Sequence, residues 1–249
     1  MEWLERQTEH LEALQNLGPR LWDGLLLTTQ LALLSGLLAF IIAVFLGLLA
    51  GSPSLWLRTP ARVIIEFFRG TSLLVQLFFV YYVIPLFGAP LLDPFIVGVA
   101  ALSINYGAYG AEAVRASLTS VSRGQWEATT ALSMSWAHKM RRIIFPQAWA
   151  LMIPSLTNLW IHLLKGSAIV YVVGLNEFTF EIDQLRRQSD IWFSHALVGL
   201  GGYFLLALIL TLVMQALEAR AKHKLGRGPT LKQILSPAPK LTDPKAVPA

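Results

Sequence analysis

Residues 127–146 read EATTALSMSWAHKMRRIIFP, and how this stretch is interpreted decides the architecture. It is basic, ends on proline, and lies between apolar runs long enough to cross a lipid bilayer. Of the 249 residues, 55% are hydrophobic and 14% charged, a composition too apolar for an ordinary soluble domain. Apolar runs with few or no charges cover 24–50, 63–92, 94–111, 143–174 and 191–217. Roughly 20 apolar residues span a hydrocarbon core, so about five transmembrane helices account for these runs. The run 94–111 has to recruit Glu112 to complete its length. The expected fold is an all-α polytopic membrane protein.

With five spans, 51–62 and 115–149 fall on one side of the membrane, and 85–93 and 176–190 on the other. Twelve lysines and arginines, from Arg58 through Arg142 and from Arg220 through Arg227, belong to the first side. Only Arg6, Arg20, Arg186 and Arg187 belong to the second. The positive-inside rule then puts the N-terminus outside and the C-terminus in the cytoplasm. The net charge of +5 is thereby a matter of topology, and no nucleic-acid partner is expected. Glu2, Glu5, Glu9 and Glu12 occupy the region that is basic in a secretion signal. Residues 1–20 read instead as an external amphipathic segment, with Leu4, Leu11, Leu14 and Leu17 near one stripe. The membrane domain covers 21–220. From 221 to 249 the composition turns to Pro, Lys, Ser and Thr without periodicity, and a cytoplasmic tail that does not fold is expected. There is no cysteine, and the five histidines are scattered singly. Thiolate chemistry is excluded, and no metal site is expected.

Within 115–149, Ser122 and Gln125 have the spacing of a capping box, and Glu127 is expected in the first helical turn, where negative charge is favoured. Trp126, Thr130 and Met134 recur every four residues and give one semi-apolar face. Ser133 and Ser135 offer a break and a second cap, after which a basic helix continues from Trp136 until Pro146 kinks or stops it. Two readings fit. The pair of helices lies on the inner leaflet with its basic residues on lipid headgroups, or it is a docking surface for a cytoplasmic partner. Glu127 sits badly against anionic lipid and well against a partner.

The same residues resemble the signature of the permease subunits of binding-protein-dependent ABC importers, in the branch that carries polar amino acids and related solutes. That signature is Glu-Ala-Ala, three residues, Gly, nine residues, Ile, any residue, Leu-Pro. Here it appears as Glu127, Ala128, Thr129, then Ser133, then Ile143 and Phe145-Pro146. Thr129, Ser133 and Phe145 depart from it, and Ser133 matters most because glycine permits turns that serine takes less easily. The stretches IIEFFRGTSLLVQLFFVYYVIP (64–85), YGAEAVRASLTSVSRGQWEA (109–128) and IPSLTNLWIHLLKGSAIV (153–170) resemble other parts of the branch, and the second and fourth helices resemble permeases for ectoine and hydroxyectoine. The resemblance implies a multi-pass protein of a bacterial inner membrane whose coupling helix, at Glu127, Ala128, Thr129, Ser133, Ile143 and Pro146, seats in a separate ATPase subunit. It further implies a P-loop ATPase dimer that hydrolyses ATP, a second permease subunit, identical or homologous, and an extracytoplasmic solute-binding protein. The chain has no Gly-x-x-x-x-Gly-Lys-Ser/Thr loop of its own, so no cofactor bound by this chain is expected.

Ionisable groups within a bilayer each need a reason. Glu66 lies between Arg62 and Arg69, and Glu112 is three residues from Arg115, so local ion pairs are expected. Ser155, Asn158, His162 and Lys165 share one face of the fourth span; Asn105, Tyr109 and Glu112 share one face of the third; Ser72 and Gln76 lie in the second. Either these groups hydrogen-bond between helices, or Gln76, Asn105, Glu112, Asn158, His162 and Lys165 line a translocation path in which Lys165 meets a substrate carboxylate. Lys165 has no acidic residue within a turn. An ion-gradient-driven transporter and a non-transporting membrane scaffold are the competing functions, the first disfavoured by the small helix count and the lack of an inverted repeat. No catalytic motif supports an enzyme.

Overall fold

The structure, a computed structural model, describes residues 2–188 and 192–224. The expected unfolded tail lies, from residue 225 onward, outside the described residues. Helix α1 runs from Glu2 to Ala50 without interruption, so the N-terminal segment continues into the first span with no joint. The leucine stripe over residues 4–17 falls outside the described side chains.

Helix α2 (Leu55–Gly70) and helix α3 (Leu73–Phe78, extended by a π-turn over Phe79–Val83 and a 3-10 turn over Ile84–Phe87) follow. Helix α4 (Pro94–Thr119) opens with Pro94 in its first turn and Asp93 as its cap, whose Oδ1 accepts the Phe95 N–H at 2.8 Å. It is the centre of the bundle, with Val97, Leu102, Ala108, Ala111 and Val114 fully enclosed. Helix α1 lies along it. A methyl group on Gly110 would stand 2.7 Å from Ala43 Cβ, and one on Gly47 would stand 2.8 Å from the Ala111 carbonyl oxygen. Lipid is as apolar as leucine, so helices associate in it by close van der Waals contact between small residues.

The single span expected over 63–92 is instead two helices that meet at 100°. Breaking a helix in lipid exposes its last carbonyls, each of which needs a donor. The Phe67 carbonyl accepts Thr71 Oγ1 (2.9 Å), the Phe68 carbonyl accepts both Gln76 Nε2 (3.0 Å) and Asn105 Nδ2 (3.1 Å), and the Arg69 carbonyl accepts the Tyr109 hydroxyl (3.0 Å). The turn between α2 and α3 is thus held by side chains from α3 and α4.

After the short helices α5 (Arg123–Ala131) and α6 (Trp136–Lys139), a π-turn over Met140–Ile144 leads into α7 (Phe145–Gly166), which ends in a 3-10 segment, Ser167–Val173. Pro146 does not stop this helix. The Phe145 N–H reaches back five residues to the Met140 carbonyl, so the wider π register absorbs the proline at the point where it enters. Trp136–Val173, Gly18–Ala50 and Ala196–Arg220 are long and apolar enough to cross a membrane, as is the bent pair α2 and α3 taken together. Among the described residues these make three, or four with the bent pair, against about five expected; helix α4, 26 residues and about 39 Å long, has the length of a span but is less apolar, and it is the one enclosed by the others.

The stretch 176–190, expected as a loop, contains helix α8 (Phe178–Gln188), ahead of the last helix, α9 (Trp192–Lys224). Its start is fixed by Glu177, which is wholly buried. Glu177 Oε1 accepts the Phe180 N–H (3.1 Å), while Oε2 accepts Thr28 Oγ1 of α1 (3.0 Å) and the Tyr203 hydroxyl of α9 (2.9 Å). One carboxyl therefore caps α8 and ties it to two spans. Burial pushes this carboxyl above the ordinary range, against the hydrogen bonds, which pull it down. A raised folded value means that its stabilising contribution is full below the ordinary carboxyl range and is lost as pH rises through the folded value. Glu177→Gln is expected to remove this pH dependence and to cost about 1 kcal/mol or less. Glu177→Ala, which strands three donors, is expected to cost about 2–4 kcal/mol. Denaturation in detergent across a pH series checks both.

Candidate functional site

Helices α5 and α6 and the turn between them form the site to which the sequence points. Ser122 stands at the cap position of α5, but its side chain makes no capping bond; its carbonyl instead accepts the Gln125 N–H at 3.0 Å. Glu127, the fifth residue of the helix, lies in the second turn rather than the expected first, exposed beside Ala128. Thr129 points inward, buried, with its hydroxyl donating to the Trp126 carbonyl at 2.8 Å.

The end of α5 explains how serine substitutes for glycine. The Ser133 N–H donates to the Thr130 carbonyl (2.9 Å) and the Met134 N–H to the Thr129 carbonyl (3.1 Å), the paired bonds of a Schellman turn. Such a turn needs a left-handed residue at its first position past the cap, and Ser133 takes it with φ at +54°. A left-handed conformation costs an L-residue roughly 1–2 kcal/mol, and glycine avoids this. The two hydrogen bonds offset that strain. Met134, expected on the α5 face with Trp126 and Thr130, lies past the helix end.

The turn is anchored to the bundle. Met140 and Ile144 of the π-turn are buried with Val114 and Leu118 from the end of α4, with Val121 just beyond it and with Ala148 and Met152 of α7, and Trp126, Ile143 and Phe145 pack against this cluster. Lys139 Nζ reaches Thr130 Oγ1 at 3.2 Å, tying α6 to α5. On the opposite side, Glu127, Ala128, Leu132, Ser133 and Trp136 are exposed, Leu132 to 73%. An exposed, partly apolar face therefore sits on a packed base, and the helix continues through Pro146 rather than stopping there.

The intramembrane polar residues separate into two groups. Gln76 and Asn105 are joined to each other (3.2 Å) and to the carbonyls at the α2–α3 break, as the reading of bonds between helices expects. Glu112 accepts Arg115 Nε at 2.9 Å, and Glu66 accepts Arg69 Nη1 at 3.1 Å, with Arg69 stacked over the Tyr109 ring. By contrast, Ser155, Asn158, His162 and Lys165 all lie exposed along one face of α7, and Lys165 has no carboxylate partner among the described residues. Sequence reasoning missed Glu177 and its partner Thr28, 149 residues away. A glutamate immediately before an amphipathic segment is the only local signal.

Comparison with known proteins bears on this arrangement. Residues 43–223 match the family described as the binding-protein-dependent transport system inner membrane component. A probable amino-acid ABC transporter permease of Sinorhizobium fredii, y4tF, is 38% identical over 209 residues, covering 82% of this chain and 87% of that protein. The L-cystine transport system permease TcyB of Bacillus subtilis is 35% identical over 211 residues, covering 83% and 88%. Among solved structures, an amino acid ABC transporter crystallised with histidines matches with a TM-score of 0.75 at 34% identity, over 82% of this chain and 94% of that one. With its helical bundle, its apolar spans and the loop signature in register, the chain belongs to the inner-membrane permeases of binding-protein-dependent ABC importers.

Proposed function

We propose that this permease moves a polar amino acid, or an amino-acid-like compatible solute such as ectoine, across the cytoplasmic membrane. A separate P-loop ATPase dimer hydrolyses the ATP, a second permease subunit, identical or homologous, completes the pathway, and an extracytoplasmic solute-binding protein delivers the solute. This chain binds no cofactor itself. Its N-terminus faces outward and its C-terminus the cytoplasm, as the distribution of basic residues favours, so α5 and α6 meet the ATPase.

The observation that carries this reading is the exposed face of Glu127, Ala128, Leu132, Ser133 and Trp136 on an anchored turn. An acidic residue beside exposed apolar ones is poorly suited to an anionic leaflet and well suited to a protein groove. Thr129, Ile143 and Pro146 serve this face from behind, through the buried hydroxyl, the apolar cluster and the helix entry. On the membrane side, the exposed stripe of Asn158, His162 and Lys165 lines the path, with Lys165 as the counter-charge for a substrate carboxylate. Gln76 and Asn105 act by holding the α2–α3 break beside that path, and Glu112 by pairing with Arg115.

Glu127→Lys is expected to leave the protein inserted but to abolish copurification of the ATPase or to cut uptake at least about tenfold; wild-type values for both would remove the assignment. Ser133→Gly is expected to keep coupling, whereas Ser133→Val, a β-branched residue where φ is positive, is expected to lose it, as read by the same copurification. Lys165→Gln is expected to raise the apparent KM for a labelled polar amino acid about tenfold, a loss of about 1.4 kcal/mol. An unchanged KM would return Lys165 to a structural role.

A further inference from the structure

Away from the α7 stripe, a cleft of about 660 Å³ opens where α8, the 3-10 end of α7 and the end of the α3 segment converge. That volume is within the range of about 300–1,000 Å³ typical of small-molecule sites. Its walls are aromatic: Tyr81, Tyr82, Tyr171 and Phe180 all line it, with Asp183 and Arg187 beside them. The rings are held in place. Tyr81 and Tyr82 pack edge to face with centroids 4.8 Å apart, and the Tyr82 hydroxyl reaches the Val172 carbonyl at 3.4 Å.

The charges in the cleft are unequal. Asp183 Oδ1 accepts Arg186 Nε and Nη2 (3.0 and 2.7 Å), while Oδ2 accepts Arg187 Nε (2.9 Å). These bonds, from Arg186 and then Arg187, hold the Asp183 carboxyl below its usual range, so one carboxylate carries two guanidiniums and the group has one positive charge in excess. Arg186 alone satisfies the charge of Asp183. Arg187, 66% exposed on a flexible stem, is the guanidinium that can turn away, and it is the one that lines the cleft.

We propose that this cleft receives a small zwitterion whose positive charge is spread over carbon, as in a quaternary ammonium or an amidinium. The ligand carboxylate takes Arg187, forming the paired hydrogen bonds that guanidinium makes with carboxylates. The ligand cation takes the vacated Asp183 oxygen and lies against the faces of Tyr171 and its neighbours, as delocalised cations do in aromatic enclosures. The exchange swaps one ion pair for two and leaves the net charge of the cleft unchanged. The cleft's place on the transport route rests on the importer reading; its ligand chemistry does not.

The same chemistry is offered by a zwitterionic lipid headgroup, and the test separates the two. Full-length protein is purified with its accompanying subunits into nanodiscs of phosphatidylglycerol, which has no zwitterionic headgroup, and saturation-transfer NMR follows binding of glycine betaine. Half-saturation at roughly 1–10 mM is expected, a weak receiving site. Arg187→Gln and Tyr171→Leu are each expected to weaken binding at least about fivefold, and acetate or tetramethylammonium alone to bind at least about fivefold more weakly than betaine. Betaine binding that ignores Arg187→Gln, acetate that binds as well as betaine, or no saturable signal overturns the proposal. Loss of the betaine signal in phosphatidylethanolamine nanodiscs assigns the cleft to a headgroup and also overturns it. Absence of an ATPase from the preparation counts against the importer reading alone.

Discussion

In a medium without water, every backbone carbonyl must find its donor inside the protein, and the most demanding place in this molecule is the break between α2 and α3. A turn of 100° ends the ladder of α2 and leaves three consecutive carbonyls, at Phe67, Phe68 and Arg69, to be satisfied from elsewhere. Thr71, Gln76, Asn105 and Tyr109 do so. Two of those four come from α4, and the Arg69 carbonyl is satisfied from α4 alone. Helix α4 is in turn positioned by glycine and alanine contacts with α1. The order of dependence runs from the small residues of α1, through α4, to the bent pair that would otherwise carry unpaired polar groups into lipid.

The same rule operates at the start of α8 with a different residue. Glu177 supplies one carboxyl to three donors that belong to α1, α8 and α9. Ionising a buried carboxyl without a cation is costly, and the converging donors and the adjacent helix N-terminus offset only part of that cost. Both arrangements use a polar side chain as the joint between helices that have little apolar incentive to associate.

These joints mark the boundary of what the sequence reveals. The spans were legible because hydrophobic length is a one-dimensional property, and the basic loops because charge is read directly. The loop signature was legible in its register, down to Ser133. The break within 63–92 was not, because Leu73–Phe87 is as apolar as a continuous span, and the donors that permit the turn sit on another helix. Gln76 and Asn105 could be picked out as polar residues in lipid, but the bond from Asn105 to the Phe68 carbonyl crosses a 37-residue separation that no local pattern encodes. The capping box at Ser122 and Gln125 matched in spacing only, since the Ser122 carbonyl rather than its hydroxyl makes the bond. At Ser133 a local preference for glycine is overridden by two hydrogen bonds, a balance of energies that residue identity alone does not disclose.

The π-turn that lets Pro146 into the helix without a stop has a mechanical meaning. Because the chain stays helical from Trp136 to Val173, the segment at the exposed turn and the segment bearing Tyr171 belong to one helical rod, whose hydrogen-bond ladder is interrupted only locally, at Pro146 and Pro154. A helical rod transmits tilt and axial rotation together. Displacement at one face of the membrane therefore arrives at the other as a change in angle, magnified by the length of the arm and requiring no relay of contacts through the bundle.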